Sequence, residues 1–124
     1  MARILIIEDE PQMRRMIEQV LARAGHEVLV ASNGRAGLDL FREEAPDLVI
    51  TDILMPEVDG LEIIRSLRRE FPQLKIIAMS GGGATGKLQY LPEARKFGAD
   101  TALSKPFDPG VLRTEVDRLL EGDG

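Results

Sequence analysis

The sequence predicts an α/β protein organised as (βα)5, a parallel sheet with helices on both faces. Three observations carry this. Short apolar runs alternate with segments whose apolar residues recur at helical spacing. Three of the runs are apolar on both faces, as in strands buried within a parallel sheet. The helical segments are punctuated by Pro, Asn, Asp and Gly where helix ends need them. At 124 residues the chain fits one domain, 1–124, long enough to bury its own core.

The strand candidates are 3–7 "RILII", 27–31 "EVLVA", 47–51 "DLVIT", 74–79 "LKIIAM" and 101–103 "TAL". The first helix, 10–24, sets Met13, Met16, Ile17, Val20, Leu21 and Ala24 on one face. Pro11 is tolerated in its first turn and Gly25 stops it. The second, 34–44, follows Asn33, an N-cap residue type. The third, 60–70, follows Asp59 and aligns Leu61, Ile64 and Leu67. A fourth lies in "LQYLPEARKFG", where Pro92 makes it start near Leu91 or break there. The last, 109–121, opens with Asp108–Pro109 and buries Leu112, Val116, Leu119 and Leu120.

Composition narrows the function. The chain is 44% hydrophobic and 30% charged, as a folded globular protein is. With no cysteine there is neither a disulfide framework nor a thiolate metal site. A net charge of −5 argues against direct nucleic-acid binding. No apolar run approaches the roughly 18 residues of a membrane span, and the start is not a signal peptide, so no membrane insertion is expected. Only three residues follow Glu121, so no output domain is expected there.

In open α/β sheets, ligands bind beyond the carboxyl ends of the strands. There the sequence places Glu8, Asp9 and Glu10 after strand 1, Ser32 and Asn33 after strand 2, and Asp52 after strand 3. Ser80 follows strand 4, and Ser104, Lys105 and Pro106 follow strand 5. Singly, each has a plain structural explanation, such as acids charging a first turn or a solvated lysine. Jointly they form a set for phosphorylating an aspartate. Converging carboxylates need a cation, and oxygen ligands suit Mg²⁺. A carboxylate can act as nucleophile, and Mg²⁺ with one lysine can neutralise a phosphoryl group in transfer.

One stretch competes for the phosphate role. "GGGATGKL" at 81–88 nearly matches G-x-x-x-x-G-K-[ST], but Leu88 stands where a hydroxyl should hold Mg²⁺. The loop also follows the fourth strand instead of opening the fold. A dehalogenase-like phosphatase would need a second acid two residues after Asp52, where Leu54 stands. The sole histidine, His26, opens strand 2 at the opposite end of the sheet and reads as a surface residue. Arg65, Arg68 and Arg69 read as a solvated helix face.

"LIIEDEPQMRRMI", "DLVITDILMPEVDGLEII", "IIAMSG" and "FGADTALSKPF" resemble the receiver domain of two-component response regulators, from Arg3 to about Leu120. The most specific motif is D-x-x-M-P-x-x-D-G at Asp52–Gly60, followed by K-P-F at 105–107. The resemblance implies a doubly wound, flavodoxin-like sheet of strand order 2-1-3-4-5. It implies that Asp52 is the phosphorylated residue and that Asp9 binds Mg²⁺ directly, with Glu8 acting mostly through water. It also implies that the backbone carbonyl of Leu54 completes that metal site. Ser80 matches the switch hydroxyl, and Lys105 the lysine that pairs with the phosphate, with a cis bond to Pro106. The phosphoryl donor would be a histidine kinase or a histidine phosphotransfer protein. A stand-alone cytoplasmic regulator acting on a downstream protein is expected. Gln12 and Arg15 on the first helix are candidates for the kinase contact by proximity.

Two departures stand out. Ala102 occupies a position often aromatic in receivers, so an aromatic-rotamer switch cannot operate. The Ser80–Lys105 interval is about three residues longer than usual, with the extra length in the glycine-rich stretch. Both fall in the strand 4–helix 4–strand 5 region. The alternative reading is a receiver-like interaction module working without phosphorylation. Such a module would usually have lost its acids, and this chain retains them all.

Overall fold

The structure, a computed structural model, describes residues 2–53, 60–80, 95–105 and 107–121. Five strands form one parallel sheet: β1 (Arg3–Ile7), β2 (Glu27–Ala31), β3 (Leu48–Asp52), β4 (Lys75–Ser80) and β5 (Thr101–Ser104). Their spatial order is β2-β1-β3-β4-β5, as expected. Helices α1 (Pro11–Arg23), α2 (Gly34–Glu44) and α3 (Gly60–Glu70) follow the first three strands, and a last helix spans Pro109–Glu121. The proposed helix start near Leu91, the Asp59 cap and the glycine-rich stretch lie outside the described residues.

Alternation along the strands builds two cores. Leu5, Ile7, Val49, Ile76 and Ala78 meet Phe41 of α2 and Ile63, Ile64 and Leu67 of α3. Ile4, Ile6, Leu48, Ile50, Ile77 and Met79 meet Ile17 and Leu21 of α1 and Leu112, Val116 and Leu119 of the last helix. The inner strands β1, β3 and β4 are almost wholly buried, whereas edge strand β2 is exposed at Glu27 and Val30. This explains why three of the five runs lack a polar face.

Local chemistry fixes the helix ends. The Asn33 side chain accepts a hydrogen bond from the Ala36 amide at 2.8 Å, capping α2 as expected. Pro11 sits in the first turn of α1, where no intrahelical N–H is required. Gly37 lies where α2 crosses β1. A Cβ there would come within 2.5 Å of the Ile7 Cδ1, so any side chain at this position forces the buried Ile7 to shift.

The strands begin and end one residue later than the sequence suggested at β3 and β4. Asp47 is an entry residue, its Oδ2 accepting the Arg3 amide at 2.9 Å. Asp52 and Ser80 are the final residues of their strands, in register with Met79 and Ser104.

Arg68 corrects the reading of α3 as a merely solvated basic face. Its Nη1 donates to the carbonyls of Pro72 and Leu74, both at 2.7 Å. Its Nε donates to the Gly98 carbonyl at 3.0 Å and its Nη2 to Asp100 at 2.8 Å. The same Asp100 oxygen accepts the Ile76 amide at 2.8 Å. One guanidinium thus ties the end of α3 to the starts of β4 and β5. Gly98 at φ +127 fits beneath it. Arg65 lies over the Phe97 ring, 5.6 Å from its centroid. Arg69 remains exposed.

Candidate phosphoacceptor site

Parallel pairing brings the carboxyl ends of β1, β3, β4 and β5 to one edge. There Glu8, Asp9 and Asp52 each offer a carboxylate oxygen, and these oxygens lie within 4.8 Å of one another. Glu8 is fully buried and Asp52 nearly so, while Asp9 reaches solvent. Lys105 closes the group: its Nζ donates to Glu8 Oε1 at 2.7 Å and to Asp52 Oδ2 at 2.8 Å.

Electrostatics follow from this sharing of one cation by several acids. Burial pushes the Glu8 carboxyl above its ordinary range. The hydrogen bonds from Lys105 and the Glu10 amide offset this only in part, and the neighbouring Asp52 charge adds to it. Burial also opposes the Lys105 charge, but hydrogen bonds to Asp52 and Glu8 outweigh it and raise the ammonium pKa. The lysine is therefore held charged between the two carboxylates.

Ser80 is fully buried at the end of β4, and its carbonyl accepts the Lys105 amide at 2.7 Å. The hydroxyl-bearing residue and the lysine are thereby tied through their backbones. Ala102, two residues before the end of β5, packs partly buried against the α2–α3 core. Gln12 and Arg15 are exposed on α1. Leu54 and Pro106 lie outside the described residues, so neither the carbonyl ligand nor the cis bond is described.

Sequence reasoning missed Arg14. It singled out Arg15, but Arg14 turns toward the site and its Nη1 donates to the Glu8 carbonyl at 2.8 Å. Helical spacing from Pro11 could have shown that Arg14, near the core-facing Met13, is only half exposed.

A five-stranded parallel sheet of order 2-1-3-4-5, with an acidic cluster and Lys105 at its carboxyl edge, defines an α/β domain of flavodoxin-like topology. Residues 4–117 match the response regulator receiver domain, and the chain belongs to that family. The chemotaxis protein CheY of Thermotoga maritima is 39% identical over 118 residues, covering 94% of this chain and 96% of its own. Sporulation initiation phosphotransferase F of Bacillus subtilis is 33% identical over 118 residues, covering 95% and 93%. Other curated relatives are longer: the chain spans 47% of a probable transcriptional regulator, ycf27, of Porphyra purpurea (36% identical over 95% of this chain) and 25% of the regulatory protein AtoC of Escherichia coli (38% over 96%). Among solved structures, a receiver domain protein from Clostridium thermocellum superposes with a TM-score of 0.86 at 34% identity, covering 94% of this chain and 92% of that one.

Proposed function

We propose that residues 1–124 form a single receiver domain that accepts a phosphoryl group on Asp52 from a phosphohistidine. The donor is a histidine kinase or a histidine phosphotransfer protein. The observation that carries this reading is the convergence of Glu8, Asp9 and Asp52 with Lys105 Nζ 2.8 Å from the acceptor carboxylate. The name of the Bacillus subtilis relative, a phosphotransferase, supports it.

The donor set, three carboxylates without sulfur or imidazole, fits Mg²⁺. Asp9 and Asp52 are the proposed direct ligands with the Leu54 carbonyl, and Glu8 contributes through water. When bound, Mg²⁺ supplies charge neutralisation on the transferred group's oxygens. An Asp52 oxygen forms the new O–P bond as the N–P bond breaks, and the imidazole leaves with that electron pair. Lys105 turns its hydrogen bond to a phosphoryl oxygen, and the Ser80 hydroxyl donates to another. The strand 4–helix 4–strand 5 region then changes shape and meets a downstream protein target, without an aromatic at Ala102. We place the protein in the cytoplasm, with neither direct nucleic-acid binding nor membrane insertion. Among the described residues no helix is long and apolar enough to cross a membrane.

Intact-mass analysis after incubation with a small phosphodonor and Mg²⁺ tests the reading. One added phosphoryl group, lost in Asp52→Asn, is expected. A wild type left unmodified even by a cognate kinase would overturn it in favour of an interaction module that works unphosphorylated.

A further inference from the structure

We propose that Arg14 is a positioning residue of this site, holding Asp9 in the direction from which it meets a divalent cation. The inference rests on reading the acidic cluster as a cation site. Asp9 is exposed, so packing does not fix it. Its backbone, however, is bracketed on both sides. The preceding peptide is held at the Glu8 carbonyl by Arg14 Nη1 at 2.8 Å. The following peptide is held at the Glu10 amide by Glu8 Oε2 at 3.0 Å. Arg14 makes a second tie, its own amide donating to the Glu10 carbonyl at 3.0 Å.

Glu8 cannot supply this alone. Its amide is spent on Ala31 at 3.1 Å and its second carboxylate oxygen on Lys105. Among the described residues, the Arg14 guanidinium is the side chain that hydrogen-bonds the Glu8–Asp9 peptide plane to α1. Groups that orient metal ligands in this way typically change affinity by about 10–100-fold when removed.

The charge of Arg14 makes the inference testable by sign. A guanidinium beside a cation site repels the cation, so if charge were its whole effect, removing it would tighten metal binding. If Arg14 acts by holding Asp9, removal loosens binding despite the lost repulsion.

Mn²⁺ is a suitable probe, its free concentration read by electron paramagnetic resonance. The expected result is binding about tenfold weaker in Arg14→Met, at the lower end for ligand-orienting groups, with Arg14→Lys recovering most of the loss. The amide resonances of Asp9 and Glu10 should shift in metal-free Arg14→Met and return toward wild type in Arg14→Lys. Mn²⁺ affinity unchanged or tighter in Arg14→Met overturns the inference. Should that variant not fold, Arg14→Gln carries the same comparison with the same two outcomes. A wild type that binds no Mn²⁺ overturns the cation-site reading as well, which separates the two failures.

Discussion

Replacing Lys105 with methionine removes a cation shared by two carboxylates while keeping the volume of the stem. The Lys105 and Asp52 side chains are 12% and 7% exposed and that of Glu8 is fully buried, so solvent screens these pairs little. Removing one partner of a buried ion pair costs about 3–5 kcal/mol, chiefly because the remaining charge is stranded. Asp52 sits at the open edge of the sheet, so about 3 kcal/mol is the appropriate end. That is a large share of the roughly 5–15 kcal/mol that holds a domain of this size together. At about 4 °C per kcal/mol, the melting temperature of the metal-free variant should fall by about 12 °C. Mg²⁺ should then restore more stability to the variant than to wild type, where the ammonium competes for the same carboxylates. An ion at 100 times its Kd adds about 2.7 kcal/mol. The pH dependence has a definite sign. Glu8 titrates above its unfolded value, so its contribution is present below the ordinary carboxylate range and is lost as pH rises through the folded value. The deficit of Lys105→Met should therefore shrink on acidification. Calorimetric melts in chelator and in millimolar Mg²⁺, across pH, measure all three. A metal-free variant melting with wild type, or an equal Mg²⁺ shift in both, would refute the reasoning.

Three further outcomes are expected. Gly37→Ala, which in an ordinary helix interior gains about 1 kcal/mol, should instead cost about 1–3 kcal/mol in urea unfolding, because its Cβ meets the buried Ile7. Arg68→Ala should cost about 2–3 kcal/mol, since it strips partners from three carbonyls and from Asp100, and thermal melts would show it. His26 accepts the Ala2 amide on Nδ1 at 3.1 Å, and burial lowers its pKa. Its contribution is complete above the unfolded value of about 6.5 and is lost as pH falls through the folded value. His26→Asn should flatten that part of the urea-midpoint profile, and an unchanged slope would remove His26 as its source.

Which parts of this molecule the sequence discloses depends on whether the cause is local. Periodicity and caps are local, so β1, the Asn33 cap and the last helix are legible to within a residue. The acidic cluster is legible because strand ends converge by topology: Glu8–Asp9, Asp52 and Lys105 follow or end three different strands and meet only across a parallel sheet. Arg68 was not legible. Its spacing on α3 resembles that of solvated neighbours, and its carbonyl partners lie in turns that carry no side-chain signature. His26 read as a surface group, yet its Nδ1 accepts a backbone amide across the sheet end. Arg14 was hidden for a similar reason, because its partner is a main-chain oxygen.

The arrangement divides into two halves around Asp52. Glu8, Asp9 and Arg14 belong to β1 and α1, whereas Ser80 and Lys105 are joined through the β4–β5 backbone. Lys105 links the halves, through Glu8 on one side and Asp52 on the other. On the proposed function, a phosphoryl group on Asp52 would offer the ammonium a doubly charged partner and draw it from Glu8. A buried carboxylate already raised by burial then loses its main compensating bond. It would then be stabilised by a proton or by a cation at Asp9. On the proposed function, a metal ion and a phosphoryl group would then favour each other's binding. The coupling would run through Glu8, which neither takes the phosphoryl group nor is a proposed direct ligand of the metal.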